Sequence, residues 1–161
     1  MKILGLDPGI QHLGLALLEG GHLVDLQEYR PPHGTLAQRL LHLERFLTQL
    51  LDRWTPEVAA LEQVIYHRNV RAALTLGAAR GVALVTLARH GIPIHELSPT
   101  HIKRAVTGNG RASKAQVLYM VKQLTGLTRP VSDHVADAIA CALALDRELH
   151  HAVPDPRTHR G

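Results

Sequence analysis

The stretch Lys2-Ile3-Leu4-Gly5-Leu6-Asp7-Pro8-Gly9 is an aliphatic run ended by a carboxylate and two turn-forming residues. A run this short and apolar is long enough only for a buried strand. Pro8 has no N–H to give a ladder and Gly9 tolerates positive φ, so the strand should stop just after Asp7. Asp7 then sits at the carboxyl end of a core strand, where sheet proteins commonly place ligand chemistry. Working outward, Val58-Ala59-Ala60-Leu61 is a second short apolar run, opened by Pro56-Glu57 and closed by Glu62. Two interior strands that each end in an acid point to a shared acidic pocket.

The elements around these strands follow from periodicity. Residues 12–18 and 22–30 read as strands joined at Glu19-Gly20-Gly21-His22, whose Gly-Gly centre favours a tight hairpin. With the first strand they form a three-stranded antiparallel meander. Residues 35–53 place Leu36, Leu40, Leu43, Phe46, Leu47, Leu50 and Leu51 at helical spacing. Residues 70–90 predict a long helix closed by Gly91 and Pro93. From Ala72 to Ala88 its only polar residues are Thr75, Arg80 and Thr86, so one core-facing stripe does not account for it. Gly77, Ala78, Ala79 and Gly81 would let another helix approach closely. With Ala79 taken as an outward position, a homodimer contact is expected on this helix, beside the alternative of a central helix buried within one chain.

Ile92 to Leu97 is a fifth strand. Ser98-Pro99 supplies an N-cap and an N1 proline for a short helix through Val106, and Ser113-Lys114-Ala115-Gln116 has capping-box spacing. A last helix runs from Ser132-Asp133 to about His150, and the tail 151–161 is expected to be disordered. The order βββαβαβααα is mixed α/β. Residues 1–150 are read as one domain with a five-stranded sheet, three strands antiparallel and then parallel ones, and helices on both faces.

The last helix adds chemistry to the two strand ends. In Ser132-Asp133-His134-Val135-Ala136-Asp137, His134 and Asp137 are three apart and Asp133 and Asp137 four apart, so they share one helical surface. Ser132-Asp133 also reads as an N-cap and an acidic first-turn residue, favourable with the helix dipole. Acids and a histidine gathered from two strands and one helix suit a hard divalent cation. No Cys or His cluster competes for zinc. The single Cys141 lies among Ala140, Ala142 and Leu143 as a core residue, and one cysteine fits a reducing compartment. Asp7 interrupts the first apolar run before a signal-peptide core forms, and no apolar stretch is expected to approach the length of a membrane span. A cytoplasmic protein is expected.

Net charge +4 and a pI of about 9.6 favour a polyanionic partner. The cations cluster after strand ends and before later helices, at Arg68, Arg71, Lys103, Arg104, Arg111 and Lys114. Acids in a pocket with bases at its rim match a phosphodiester substrate. The aromatics Tyr29, Phe46, Trp54, Tyr66 and Tyr119 are too few to hold a single strand by stacking successive bases.

The whole constellation resembles the ribonuclease-H-like nucleases and, within them, the RuvC family of Holliday junction resolvases. The resemblance runs from Leu4-Gly5-Leu6-Asp7-Pro8-Gly9 to the last helix. Glu62-Gln63-Val64 is similar to the family's E-Q-x segment and Leu76-Gly77-Ala78-Ala79-Arg80-Gly81 to its L-G-x-A-R-G helix. Ile102-Lys103 and Gly108-Asn109-Gly110-Arg111-Ala112-Ser113-Lys114 resemble its basic segments. It implies metal ligands at Asp7, Glu62, His134 and Asp137, holding Mg²⁺ or Mn²⁺, two ions to a site. His134 departs from the family's commoner Asp, which leaves Asp133 as an alternative ligand.

The resemblance also implies a homodimer that nicks two like-polarity strands of a four-way DNA junction, leaving 5′-phosphate ends, in recombination and repair. Lys103 and Lys114 would act near the scissile phosphate. Arg68, Arg71, Arg104 and Arg111 would hold flanking DNA, with Tyr66 stacking on an unpaired base or Ile65 wedging between bases. A branch-migration helicase of the RuvA and RuvB type is the implied partner. The alternatives are an RNA-processing nuclease of the same fold and a catalytically silent junction-binding protein. The opening Gly5-Leu6-Asp7-Pro8-Gly9 also suggests a phosphate loop of the actin and sugar-kinase fold, but that fold needs a second repeat and over twice this length.

Overall fold

The computed structural model describes residues 1–64 and 68–151. Ile65, Tyr66 and His67, and the tail from residue 152, lie outside the described residues, and with them the expected stacking, wedging and disorder. The elements are β1 (Lys2–Asp7), β2 (Leu13–Glu19), β3 (His22–Tyr29), α1 (Leu36–Trp54), β4 (Val58–Glu62), α2 (Val70–Arg89), β5 (Ile94–Leu97), α3 (Pro99–Thr107), α4 (Lys114–Thr125) and α5 (Asp133–His151).

The strands form one sheet in the order β3-β2-β1-β4-β5. β1 pairs antiparallel with β2 and parallel with β4, and β4 pairs parallel with β5. Gly20 and Gly21 close the β2–β3 hairpin at φ 57° and 80°, the left-handed pair that a tight two-residue turn requires. Each sheet face has its own core. Alternation along β1 sends Leu4 and Leu6 to one side, with α1 and α2, and Ile3 to the other, with α3, α4 and α5.

Helix starts are capped as the composition demands. Thr35 and Ser113 form capping boxes with Gln38 and Gln116, while Asn69 and Ser98 each accept a backbone N–H from their own first turn. The Ser132 hydroxyl accepts from the N–H of Val135 at 3.2 Å and fixes where α5 begins.

Helix α2 corrects two expectations. Ala79 is fully buried, facing the core with Ala83, Thr86 and Leu87. The exposed row is instead Val70, Leu74, Gly77, Gly81 and Val85. At 20 residues, with an 18-residue window of mean hydropathy 1.4, α2 also has the length and apolarity of a membrane span. Its midpoint, however, carries Arg80, bonded to the Glu62 carbonyl and to Glu96, and its inner flank belongs to a core shared with α1 and the sheet. Those contacts make it a helix of this domain.

Helix α5 is the central element of its layer, with Val135, Ala136 and the unbroken run Ala138–Leu145 all buried. It presses on β1 and β2 at Gly5 and Gly14. A Cβ at Gly5 would overlap the Ala138 carbonyl oxygen, and one at Gly14 would overlap the His134 carbonyl. Both obstacles are backbone and have no rotamer in which to retreat. Gly5→Ala is therefore expected to lift α5 and to cost about 3 kcal/mol or more in urea unfolding. Gly81→Ala, at an open position on α2, should be neutral or mildly stabilising.

Candidate active site

Asp7 and Glu62 each follow the last paired residues of neighbouring parallel strands, Leu6 opposite Leu61, so the pairing itself sets the two acids side by side. α5 crosses above them and supplies His134 and Asp137 from its first two turns. His134 Nδ1 lies 3.0 Å from Asp7 Oδ2. Lys114, the first residue of α4, places its ammonium 3.4 Å from Asp133 Oδ2 and 3.9 Å from Asp137 Oδ2.

A cleft of about 360 Å³ opens beside these groups. Glu62, Lys103, Lys114, Asp133 and Asp137 line it, over a floor that includes Ile102, Leu118, Ala140 and Cys141. A smaller recess of about 120 Å³ joins Asp7, Glu62, Asp137 and Arg80. The expected acids, His134 and both lysines are thus brought together. Arg68, Arg71, Arg104 and Arg111 are exposed and line neither space.

Burial and mutual repulsion govern the ionisation of this group. Desolvation raises the Asp7 carboxyl, against the hydrogen bond and charge of His134. Glu62 is raised by burial and by the charge of Asp7. Asp137 is pushed up to about 6 by burial, by Asp7 and by Glu62, although Lys114 pulls the other way. Lys114 itself is raised, first by Asp137. Cys141 is buried beneath the cleft, and burial holds its thiol well above the usual range, as expected for an inert core thiol.

Among the described residues, no three acidic, cysteine or histidine side chains close on one point. The acids are instead paired with Lys114 and His134. Asp7 still raises Glu62, and Asp7 and Glu62 raise Asp137, so the acids stand within one charge field. Carboxylate oxygens gathered in this way beside one imidazole fit a hard divalent cation.

Two residues escaped the sequence reading. Arg80 donates from Nη1 to the Glu62 carbonyl at 2.9 Å and from Nη2 to Glu96 at 2.9 Å, bracing the end of β4 from below. Its signal was a lone cation among apolar residues, visible but not interpretable without the register of α2. His12 stacks on His134 with ring centroids 4.8 Å apart and planes within 7°. Nothing in spacing links two rings 122 positions apart.

With the geometry in place, comparison with known proteins decides the family. The family model described as crossover junction endodeoxyribonuclease RuvC matches residues 3–145. The chain belongs to the RuvC family. A crossover junction endodeoxyribonuclease RuvC from Chloroflexus aurantiacus is 41% identical over 99% of this chain and 98% of its own length. One from Thermomicrobium roseum is 40% identical over 89% of this chain and 91% of its own. Thermus thermophilus RuvC, solved in complex with a Holliday junction substrate, superimposes with a TM-score of 0.87 at 31% identity, covering 94% of this chain and 96% of that one. The yeast mitochondrial resolvase Ydc2 shares the fold, with a TM-score of 0.63 at 16% identity. The ribonuclease-H-like α/β architecture expected from the sequence stands, as does the nuclease class.

The ionisation of Asp137 has a testable consequence. An acid whose folded pKa lies above its unfolded value of 3.8 binds its proton more tightly in the native state. Its ionisation therefore subtracts stability as pH rises from 3.8 through about 6, and acidification restores it. In chelator-treated protein, Asp137→Asn should flatten that slope in urea unfolding. It should gain about 1 kcal/mol at neutral pH, the modest size reflecting solvent screening of a partly exposed carboxylate. Divalent-cation binding to the parent protein should weaken as pH falls through about 6.

Proposed function

We propose that this RuvC-family endodeoxyribonuclease resolves four-way DNA junctions by paired, symmetric nicks of two like-polarity strands, leaving 5′-phosphate ends. The observation that carries this reading is the convergence of Asp7, Glu62 and Asp137 with His134, flanked by Lys103 and Lys114, in a chain matched by the family model over residues 3–145. Residues 1–150 act as one domain, working in the cytoplasm in recombination and repair.

The four site residues would hold two Mg²⁺ or Mn²⁺ ions. Asp7 stands on the strand between β2 and β4 and Glu62 on β4 beside it, while His134 and Asp137 reach in from α5. Bound divalent cations would supply charge stabilisation at the phosphate and a water of lowered pKa. The chain's own part is electrostatic and geometric. Lys114 exchanges its contacts with Asp133 and Asp137 for a phosphate oxygen, and Lys103, also lining the cleft, neutralises charge there. Arg80 keeps the Glu62 backbone in place while the substrate enters. Asp133, at the exposed end of α5, serves as a partner for Lys114 rather than as a ligand. The exposed Arg68, Arg71, Arg104 and Arg111 hold flanking phosphates, which position DNA without reading its sequence.

A two-fold junction suits a two-fold enzyme, and the uncovered apolar row of α2 is where a second copy would pack. A branch-migration complex of the RuvA and RuvB type would deliver the junction.

Incubation of purified protein with a four-way junction and Mn²⁺ or Mg²⁺ tests the reading, and paired symmetric nicks are expected. Asp7→Asn should abolish cutting and retain junction binding, because it removes a charge needed only for metal. Cleavage by Asp7→Asn at more than about 1% of the parent rate, a loss short of 10²-fold, would remove Asp7 from the mechanism. Leu74→Glu, on the exposed row, should yield a folded monomer in sedimentation. Ala79→Glu should instead unfold the chain, since it buries a charge in the core.

A further inference from the structure

His134 is the nitrogen donor among the site's carboxylates, and an imidazole serves a cation only if its ring plane and nitrogen are held in line. It stands in the first turn of α5 with 42% of its side chain exposed, so its own helix does little to fix the ring. What lies against its face is His12, from the turn entering β2, stacked at 4.8 Å and 7°. Parallel rings at that separation restrict tilt and rotamer.

The His12 ring is anchored in turn. Its Nδ1 lies 3.3 Å from Glu28 Oε1 on β3. Both atoms are buried and neither has an aligned hydrogen-bond partner among the described residues, so the two face each other across a close polar contact. The other Glu28 oxygen, Oε2, accepts from Arg30 Nη2 at 3.3 Å. A chain of contacts thus runs from the sheet's edge strand to its centre: Arg30, Glu28, His12, His134, Asp7.

We infer that His12, oriented by Glu28, is a positioning residue that holds the His134 imidazole in the plane required of a ligand. His12 is not itself a ligand in this arrangement. Its Nδ1 is turned to Glu28, and its ring lines neither the cleft nor the recess beside the acids. The inference rests on the metal-binding reading of the site above.

Isothermal titration of the DNA-free protein with Mn²⁺ separates the two. His12→Ala should weaken Mn²⁺ binding about tenfold, in the range seen when a ligand's supporting partner is lost. His12→Phe, which keeps a flat ring but no ligating nitrogen, should restore most of that loss. Glu28→Gln should fall between the two. Circular dichroism and melting temperature establish that each variant is folded, and the His134 ring resonances should broaden in His12→Ala and stay sharp in His12→Phe. Parent-like Mn²⁺ affinity in a folded His12→Ala protein overturns the inference, as does a His12→Phe variant no better than alanine. If Asp7→Asn and Asp137→Asn also leave Mn²⁺ binding untouched, the metal reading itself falls and takes this inference with it. If they abolish binding while His12→Ala does not disturb it, only the role of His12 is lost.

Discussion

Helix α5 lies against the middle of the sheet at a separation that leaves no room for a Cβ on β1 or β2 beneath it. Gly5 meets the carbonyl of Ala138, and Gly14 meets that of His134, so both contacts are backbone against backbone. The small residues Ala136, Ala138, Ala140, Ala142 and Ala144 let the helix sink into that position, and their burial holds it there. Everything chemical depends on the resulting height. With α5 lifted by the width of a methyl group, His134 would no longer reach Asp7 at 3.0 Å, nor would Asp137 stand within the charge field of Asp7 and Glu62.

That placement costs stability, and the surroundings offset it only in part. Burial raises all three acids, Asp7 raises Glu62, and both raise Asp137, while Lys114 and His134 provide the compensating contacts. A site that neutralised its own acids fully would have nothing left to attract a cation. The lysine is held loosely, at 3.4 and 3.9 Å and well exposed, which leaves it free to exchange a carboxylate for a phosphate. Arg80 stands in contrast. It is only 13% exposed and tied at two points at 2.9 Å, which is the geometry of a brace.

Helix α2 meets competing demands on one sequence. One flank closes the core over α1 and the sheet through Ala79, Ala83 and Leu87. Its midpoint supports the Glu62 end of β4, and its outer row of Val70, Leu74 and Val85 is left uncovered. These demands explain why it is apolar almost all round without being buried all round.

The sequence by itself determined the element order, the strand ends that carry Asp7 and Glu62, and the helical spacing that puts His134 and Asp137 on one surface. These are local properties: Pro8-Gly9 stops a strand, Ser98-Pro99 starts a helix, and period 2 or 3.6 assigns a face. The family motifs were legible for the same reason, being contiguous. Only the tertiary structure decided which way each face of α2 turned, because periodicity identifies a buried stripe only when polar residues mark the opposite side. It alone joined Arg80 to the Glu62 carbonyl, and His12 to His134 and Glu28. Those contacts arise where separate strands and helices meet in register, and packing sets that register across distances that local sequence does not encode.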